Sequence, residues 1–313
     1  GSRKEVCDNN LQEAFTRSDA SIVWTYEYMT IAHANLILDN IHRAPLQEDR
    51  HNFYVGQALG IRAYSYFYIL RTWGDAPWVT ASEDVGEKAR TPWQDIADYI
   101  LDDLQKVTKL LPVAAELKYA DGTPVVSKQY FSRGTAYALM AHIYAWKGAL
   151  NNQPELFPKA IEAATEAINN GGYGLVENPF EVSEQVMHGN TVEGILELDY
   201  DVKNNEYKAY GGYIAGVCQR WPIQKNTTPQ TARTARISND LVYRLYPDKN
   251  DKRREAYFYK LDSMANVSTN TTKGGAYIIK WKHPVVYEEG LSAGRMKTYD
   301  ENEILLVCPT SFC

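Results

Sequence analysis

Residues 51–79 read HNFYVGQALGIRAYSYFYILRTWGDAPWV, a helix running into a turn, and the rest of the chain can be placed around them. Leu59, Ala63, Tyr66, Leu70 and Trp73 recur at steps of three and four, which puts them on one stripe of a helix that must be buried. A neighbouring line of Gly56, Gly60, Ala63 and Phe67 sets small residues one turn apart. Two glycines inside a helix cost roughly 1 kcal/mol each relative to alanine, so a partner helix packed very close is expected in compensation. Gly74 offers a left-handed C-terminal cap, and Pro77 keeps the helix from resuming. The chain turns there, with Trp73 and Trp78 on either side of the bend.

A chain of 313 residues can bury a large core as one big domain or two ordinary ones. Its net charge of -6 argues against nucleic acid, which calls for a basic face against the phosphates. The 23 tyrosines and 7 tryptophans outnumber the 8 phenylalanines, a bias toward rings with a polar handle that suit wet, half-buried surfaces. Cys7, Cys218, Cys308 and Cys313 have neither CxxC nor Cys/His metal spacing, so neither a disulfide framework nor a zinc site is expected. No apolar run approaches the length of a membrane span, and GSRKEVCDNN at the start lacks the zones of a signal peptide.

Periodicity predicts a first helix over residues 21–42, with Trp24, Tyr28, Ile31, Asn35 and Leu38 near one face and Asn35 hydrogen-bonded to a neighbouring element. A second begins with Thr91 as N-cap, Pro92 in the first helical position and Gln94 closing a capping box. Its apolar stripe runs from Trp93 to Leu111, and Asp95, Asp98, Asp102 and Asp103 are assigned to the solvated side. Another helix spans 132–147 and is stopped by Gly148. Its partner starts at Pro158, with Ala160, Ile161, Ala164 and Ile168 as the buried face. Ala63-x-x-Tyr66 recurs as Ala141-x-x-Tyr144, so the two hairpins read as copies of one unit, the tetratricopeptide plan in which each hairpin is completed by its neighbour.

Beyond Gly172 the texture changes. Alternation around Leu196, Leu198 and Tyr200, and again around Tyr277, Ile279 and Trp281, predicts short strands, with Glu197 and Asp199 on the solvent side of the first. A short helix is expected from Ser238 to Leu245, ended by Pro247, and the remainder is loop, where binding groups usually sit. The expected fold is therefore mainly α: tetratricopeptide-like hairpins over 21–172, and a loop-rich, ligand-binding region with a few short strands over 173–313.

WTYEYMTIAHANLILDNI, QALGIRAYSYFYILRTWGDAPWVT, RTPWQDIADYILDDLQKVTKLLP, SRGTAYALMAHIYAWKGAL, FPKAIEAATEAINNGGYGL, ISNDLVYRLYPDKNDKR and GGAYIIKWKHP, in that order, resemble the SusD/RagB family. RAYxYF, WGDxP and the later GGY are characteristic together. The resemblance implies one SusD-like domain over 1–313, incomplete at both ends, and a cell-surface lipoprotein of the outer membrane. Such a protein binds glycan and hands it, without cleaving it, to a SusC-like TonB-dependent transporter. The family's lipid-bearing cysteine has no counterpart here, so membrane association would depend on an anchor outside this chain. The family continues past YDENEILL where this chain ends VCPTSFC, as a frameshift, an early stop or a trimmed chain would leave it.

The residues also allow rival classes. No HExxH, GxSxG or phosphate-cradling loop occurs among the six histidines and the glycine-rich turns. An α/α-barrel glycoside hydrolase would need a carboxylate pair, for which Glu197 and Asp199 are the only strand candidates. A tetratricopeptide protein-interaction module would not need the long loops. Because the C–H face of a pyranose stacks on aromatic rings while amides and charges bind its hydroxyls, Trp78, Tyr213 and Trp221 are the expected stacking platform, with Asp75, Gln219 and Arg220 as polar partners. No cofactor is implied. Asp248, Asn250 and Asp251 cluster without the glycine and terminal glutamate of a Ca2+ loop, and a solvated turn is expected there.

Overall fold

A computed structural model describes residues 23–84, 86–186, 189–199, 237–258 and 261–264, and segments at 275–276, 278–280, 282–283, 297–298 and 302–307. The described residues divide between two compact units, one built on 23–175 with 194–196 and 305–307, the other drawn from 176–193 and 197–304.

The first unit is a row of five helices: α1 (Thr25–Asn40), α2 (Glu48–Trp73), α3 (Trp93–Leu110), α4 (Arg133–Leu150) and α5 (Leu156–Asn170). Each packs on the next in the row, α1 on α2 through to α4 on α5. Ala63 and Tyr66 on α2, and Ala141 and Tyr144 on α4, are all buried, so the repeated motif occupies interior positions in both helices. The stripe Ile96, Ile100, Leu104 and Val107 of α3 meets this core as its spacing predicts. The fold is mainly α, with tetratricopeptide-like packing.

The glycines of α2 are filled differently from expectation. A Cβ on Gly56 would lie 2.5 Å from Leu111, and one on Gly60 2.5 Å from the Phe131 ring. Two loop side chains, rather than a helix backbone, occupy the space, because Leu111 and Phe131 each bring more apolar area to the groove than a second helix's small residues could. Gln57 lies between the two glycines and fixes the second insertion: its Nε2 donates to Phe131 O and its Oε1 accepts from Phe131 N, both at 2.8 Å.

The α3 terminus also departs from the sequence reading. Thr91 does not cap it; its backbone forms an antiparallel bridge with Ala76, and the Trp93 N–H is instead taken by Asp75 Oδ1 at 2.9 Å. The turn after α2 thus supplies the cap for α3. Asp103 is buried rather than solvated, because Arg62 on α2 needs a counter-charge inside the core. Asn35 is fully buried, donating to Val79 O at 3.0 Å and accepting from Arg62 Nη1 at 2.8 Å, so its place on an apolar stripe is structural.

Ser132 caps α4 through Thr135 in a capping box. The helix continues past Gly148, which is buried where a Cβ would meet the following turn at Gln153 O, 3.1 Å away. The next helix begins at Leu156, two residues before Pro158, since a proline in the first turn lacks only an N–H that has no intrahelical partner. Its buried face is Ala160, Ala163 and Ala167, while Ile161 is 66% exposed. Alanine permits close approach to α4, and the phase of the helix follows it.

In the second unit α6 (Pro179–Glu184) packs on α8 (Lys252–Tyr257). Strand β2 (Ile237–Ser238) leads into α7 (Asn239–Leu245), capped by Ser238, and pairs antiparallel with β3 (Gly275–Ala276), Ile237 opposite Ala276. Val242, Phe258, Ala276 and Leu261, the last on α9 (Leu261–Met264), form its small core. Strand β1 (Gly194–Asp199) pairs with β6 (Asn302–Val307), and β4 (Lys282–His283) with β5 (Lys297–Thr298). The strand expected around Tyr277 is seen as β3 and a bridge between Ile278 and Phe258; Tyr277 and Trp281 lie outside the described residues. Asp248 closes a turn on Asn250 N, and Asp251 caps α8 and pairs with Arg253, uses that leave this cluster as a turn and a cap.

Candidate ligand-binding cleft

Of the residues expected to bind ligand, Tyr213, Gln219, Arg220 and Trp221 lie outside the described residues. Asp75 and Trp78 fall on the turn between α2 and α3. Asp75 is exposed and spends one carboxylate oxygen on the cap of α3. Trp78 is half-buried, its ring 4.4 Å from that of Tyr66 and 5.2 Å from that of Tyr99, with the Arg62 guanidinium 5.8 Å from its centroid. The turn itself is held from below. Tyr28 Oη donates to Pro77 O at 2.6 Å, and Tyr66 Oη accepts from Val79 N at 2.7 Å. Burial holds both hydroxyls far above the ordinary phenol range, with Arg90 opposing the effect at Tyr28 and the Val79 N–H opposing it at Tyr66. Trp78 is packing in large part.

The strand acids are also not as expected. Glu197 is 1% exposed, and its Oε2 accepts from Asn190 N at 2.6 Å, while Leu198 is the side chain turned outward. The reason is that the chain reaching β1 needs an acceptor. Glu193 likewise takes Val176 N at 2.8 Å. Both acids organise main chain. The Asp199 side chain lies outside the described residues.

A cleft of about 590 Å3 lies elsewhere, where the start of α2 and the end of α3 meet the segment leading to α4. That segment folds on itself: a short helical turn at Ala114–Glu116 precedes a bridge between Lys118 and Pro124, with Tyr119 N donating to Thr123 O at 2.8 Å. At the tip Gly122 has φ +83°, and Asp121 Oδ1 accepts from both Thr123 N and Thr123 Oγ1. Those bonds hold the Asp121 carboxyl below its ordinary range. Arg50 ties α2 to this lip, its Nη1 donating to Lys118 O at 2.9 Å while its guanidinium carbon sits 4.8 Å from the Phe53 ring centroid. A second hollow of about 480 Å3 shares Arg50, Phe53, Tyr119 and Ala120 with the first and adds Tyr54 and Tyr130. Tyr119, Tyr130, Phe53 and Tyr54 follow one another ring to ring, at 5.7, 5.9 and 5.5 Å. The result is a preformed groove with an aromatic wall and a polar rim, suited to a ligand with alternating apolar and hydroxyl-bearing faces. Sequence reasoning missed it because Arg50 and Lys118 are 68 residues apart and belong to no motif.

Residues 3–145 match the SusD-like family described as "Starch-binding associating with outer membrane". Among curated proteins of Formosa agariphila, SusD-like protein P2 is 29% identical over 174 residues, covering 54% of this chain and 31% of P2. SusD-like protein P38 is 26% identical over 224 residues, covering 67% and 40%. The chain thus spans well under half the length of these relatives. Two SusD homologues of Bacteroides thetaiotaomicron have the same fold. One has a TM-score of 0.70 at 23% identity over 91% of this chain and 58% of its own; the other has 0.73 at 18% over 93% and 61%. Helix row, motif positions and family match agree: residues 3–145 are similar to SusD-like proteins, and the described residues share the SusD fold.

Proposed function

We propose that this chain belongs to a non-catalytic glycan-binding lipoprotein displayed on the outer membrane, which passes oligo- or polysaccharide to a SusC-like TonB-dependent transporter. The observation that carries the reading is the match of residues 3–145 to a family described as starch-binding and associated with the outer membrane. Residues 21–172 act as the helical frame, with the cleft beside α2 and α3 set into it, and 173–313 as the main ligand-binding region within one domain. Tyr213, Gln219, Arg220 and Trp221 contribute to capture from that region, and Asp75 and Trp78 from the turn between α2 and α3. The buried Glu193 and Glu197, each accepting a main-chain N–H, are better suited to holding loops than to acid–base work. Among the described residues, no helix is long and apolar enough to cross a membrane.

Calorimetric titration of the chain with a panel of oligosaccharides, alongside reducing-end assays on the same samples, tests both halves of the reading. Saturable binding without new reducing ends supports it. Release of reducing ends would replace it with a hydrolase, and failure of an affinity-tagged chain to retain a SusC-like protein from membranes would remove the delivery step.

A further inference from the structure

The cleft between α2, α3 and the lip at 117–125 is oppositely charged to the chain as a whole. The protein carries -6, yet this cleft is lined by Arg50, Lys109, Lys118 and Arg133 against Asp49 and Glu116. Asp49 is largely exposed and pairs with Arg50 at 3.3 Å, so Lys109, Lys118 and Arg133 stand against Glu116, while Asp121 in the adjoining hollow turns its Oδ1 to Thr123. Lys109 and Lys118 are exposed at the rim. Arg133 is oriented by its own backbone environment, Nε donating to Thr108 O at 3.0 Å and Leu111 O at 3.2 Å, which leaves the ends of its guanidinium for other acceptors. Beside these cations stand Phe53 and the half-buried Tyr119 and Tyr130.

Rings next to a cluster of cations are complementary to a sugar that is itself charged. A pyranose lays its C–H face on Tyr119, while a carboxylate or sulfate on the ring draws the lysine ammonium groups and accepts from Arg133. A neutral glycan would leave the cations without that gain. We propose that this cleft is an anionic-sugar subsite, taking a uronate or a sulfated sugar unit of the captured chain. The inference rests on the glycan-binding reading above and adds to it a second site and a ligand class.

The test is calorimetry on the whole chain with four probes of similar length: oligogalacturonate, its methyl ester, a sulfated chondroitin oligosaccharide and a neutral malto-oligosaccharide. At least one anionic probe is expected to bind about tenfold more tightly than the uncharged ones, and to weaken several-fold as salt rises from about 50 to about 500 mM. Which of the two it is separates carboxylate from sulfate. Lys109→Glu/Lys118→Glu, at exposed positions, is expected to abolish the preference while leaving the thermal midpoint in place, and Tyr119→Ala to weaken all binding at the cleft. Affinity for both anionic probes no greater than for the uncharged ones, or an unchanged preference in the double variant, overturns the subsite and leaves glycan capture standing. Absence of binding by every probe and by the wider panel overturns both.

Discussion

Two nitrogens of Arg62, Nε at 2.9 Å and Nη2 at 2.6 Å, converge on the same carboxylate oxygen of Asp103. Both side chains are over nine-tenths buried, and Asn35 holds the remaining Arg62 nitrogen, so three consecutive helices share one polar junction. A pair of this kind is expensive to break from one side, since the survivor stays charged and buried. Asp103→Ala is therefore expected to cost about 3–5 kcal/mol in urea denaturation. Combining it with Arg62→Met should recover much of that loss; a double variant as unstable as the single one would mean that Arg62 is not the injured partner.

Gly60→Ala should run against helix propensity. In an open helix the change would stabilise by roughly 1 kcal/mol. Here the new Cβ would meet the Phe131 ring at 2.5 Å, and overpacking is expected to reverse the sign, costing about 1–3 kcal/mol. Gly86→Ala, at a site with no atom within 4 Å of the added carbon, is the matched control and should shift the urea midpoint little.

The cap of α3 separates two residues that sequence alone ranks the other way. Asp75→Ala removes the acceptor for Trp93 N and is expected to lower stability by about 1 kcal/mol. Thr91→Ala keeps the main-chain bridge to Ala76 and should come out close to neutral in thermal melts.

Alkaline pH should loosen the first unit. Tyr28 and Tyr66 have folded pKa values raised above the ordinary 10.0, chiefly because burial disfavours the phenolate. The unfolded chain releases these protons near 10.0 and the fold retains them. Stability is thus intact below the unfolded value and is lost as pH rises toward the folded one. Urea midpoints at about pH 8 and about pH 11 should differ in that direction, and Tyr28→Phe should flatten the slope. An equal alkaline loss in Tyr28→Phe would assign the effect to other groups.

The helices and their order were legible because periodicity is local: Ile96, Ile100, Leu104 and Val107 announce the buried side of α3, and the repeated Ala-x-x-Tyr announces the repeat. What escaped was set by residues far apart in the chain. Asp103 looks solvated until Arg62 is placed opposite it, and Asp75 caps a helix that starts 18 residues later. The exposure of Ile161 follows from the preference of α4 for alanine at its crossing, which apolar spacing does not encode. The cleft shares this character, since Arg50, Lys109, Lys118 and Tyr119 meet only when α2, α3 and the lip are assembled. For Tyr213, Gln219, Arg220 and Trp221, the sequence reading stands as the only account.

Gly56 and Gly60 act as adjacent sockets one helical turn apart, receiving Leu111 and Phe131. Both ends of the segment 112–130 are therefore clamped about 6 Å from each other on one rigid rod. A segment pinned in that way can be lengthened at modest entropic expense, about 0.6 kcal/mol per doubling, without disturbing the helices at its base. The same hardware could accept a succession of different inserts between its two clamps.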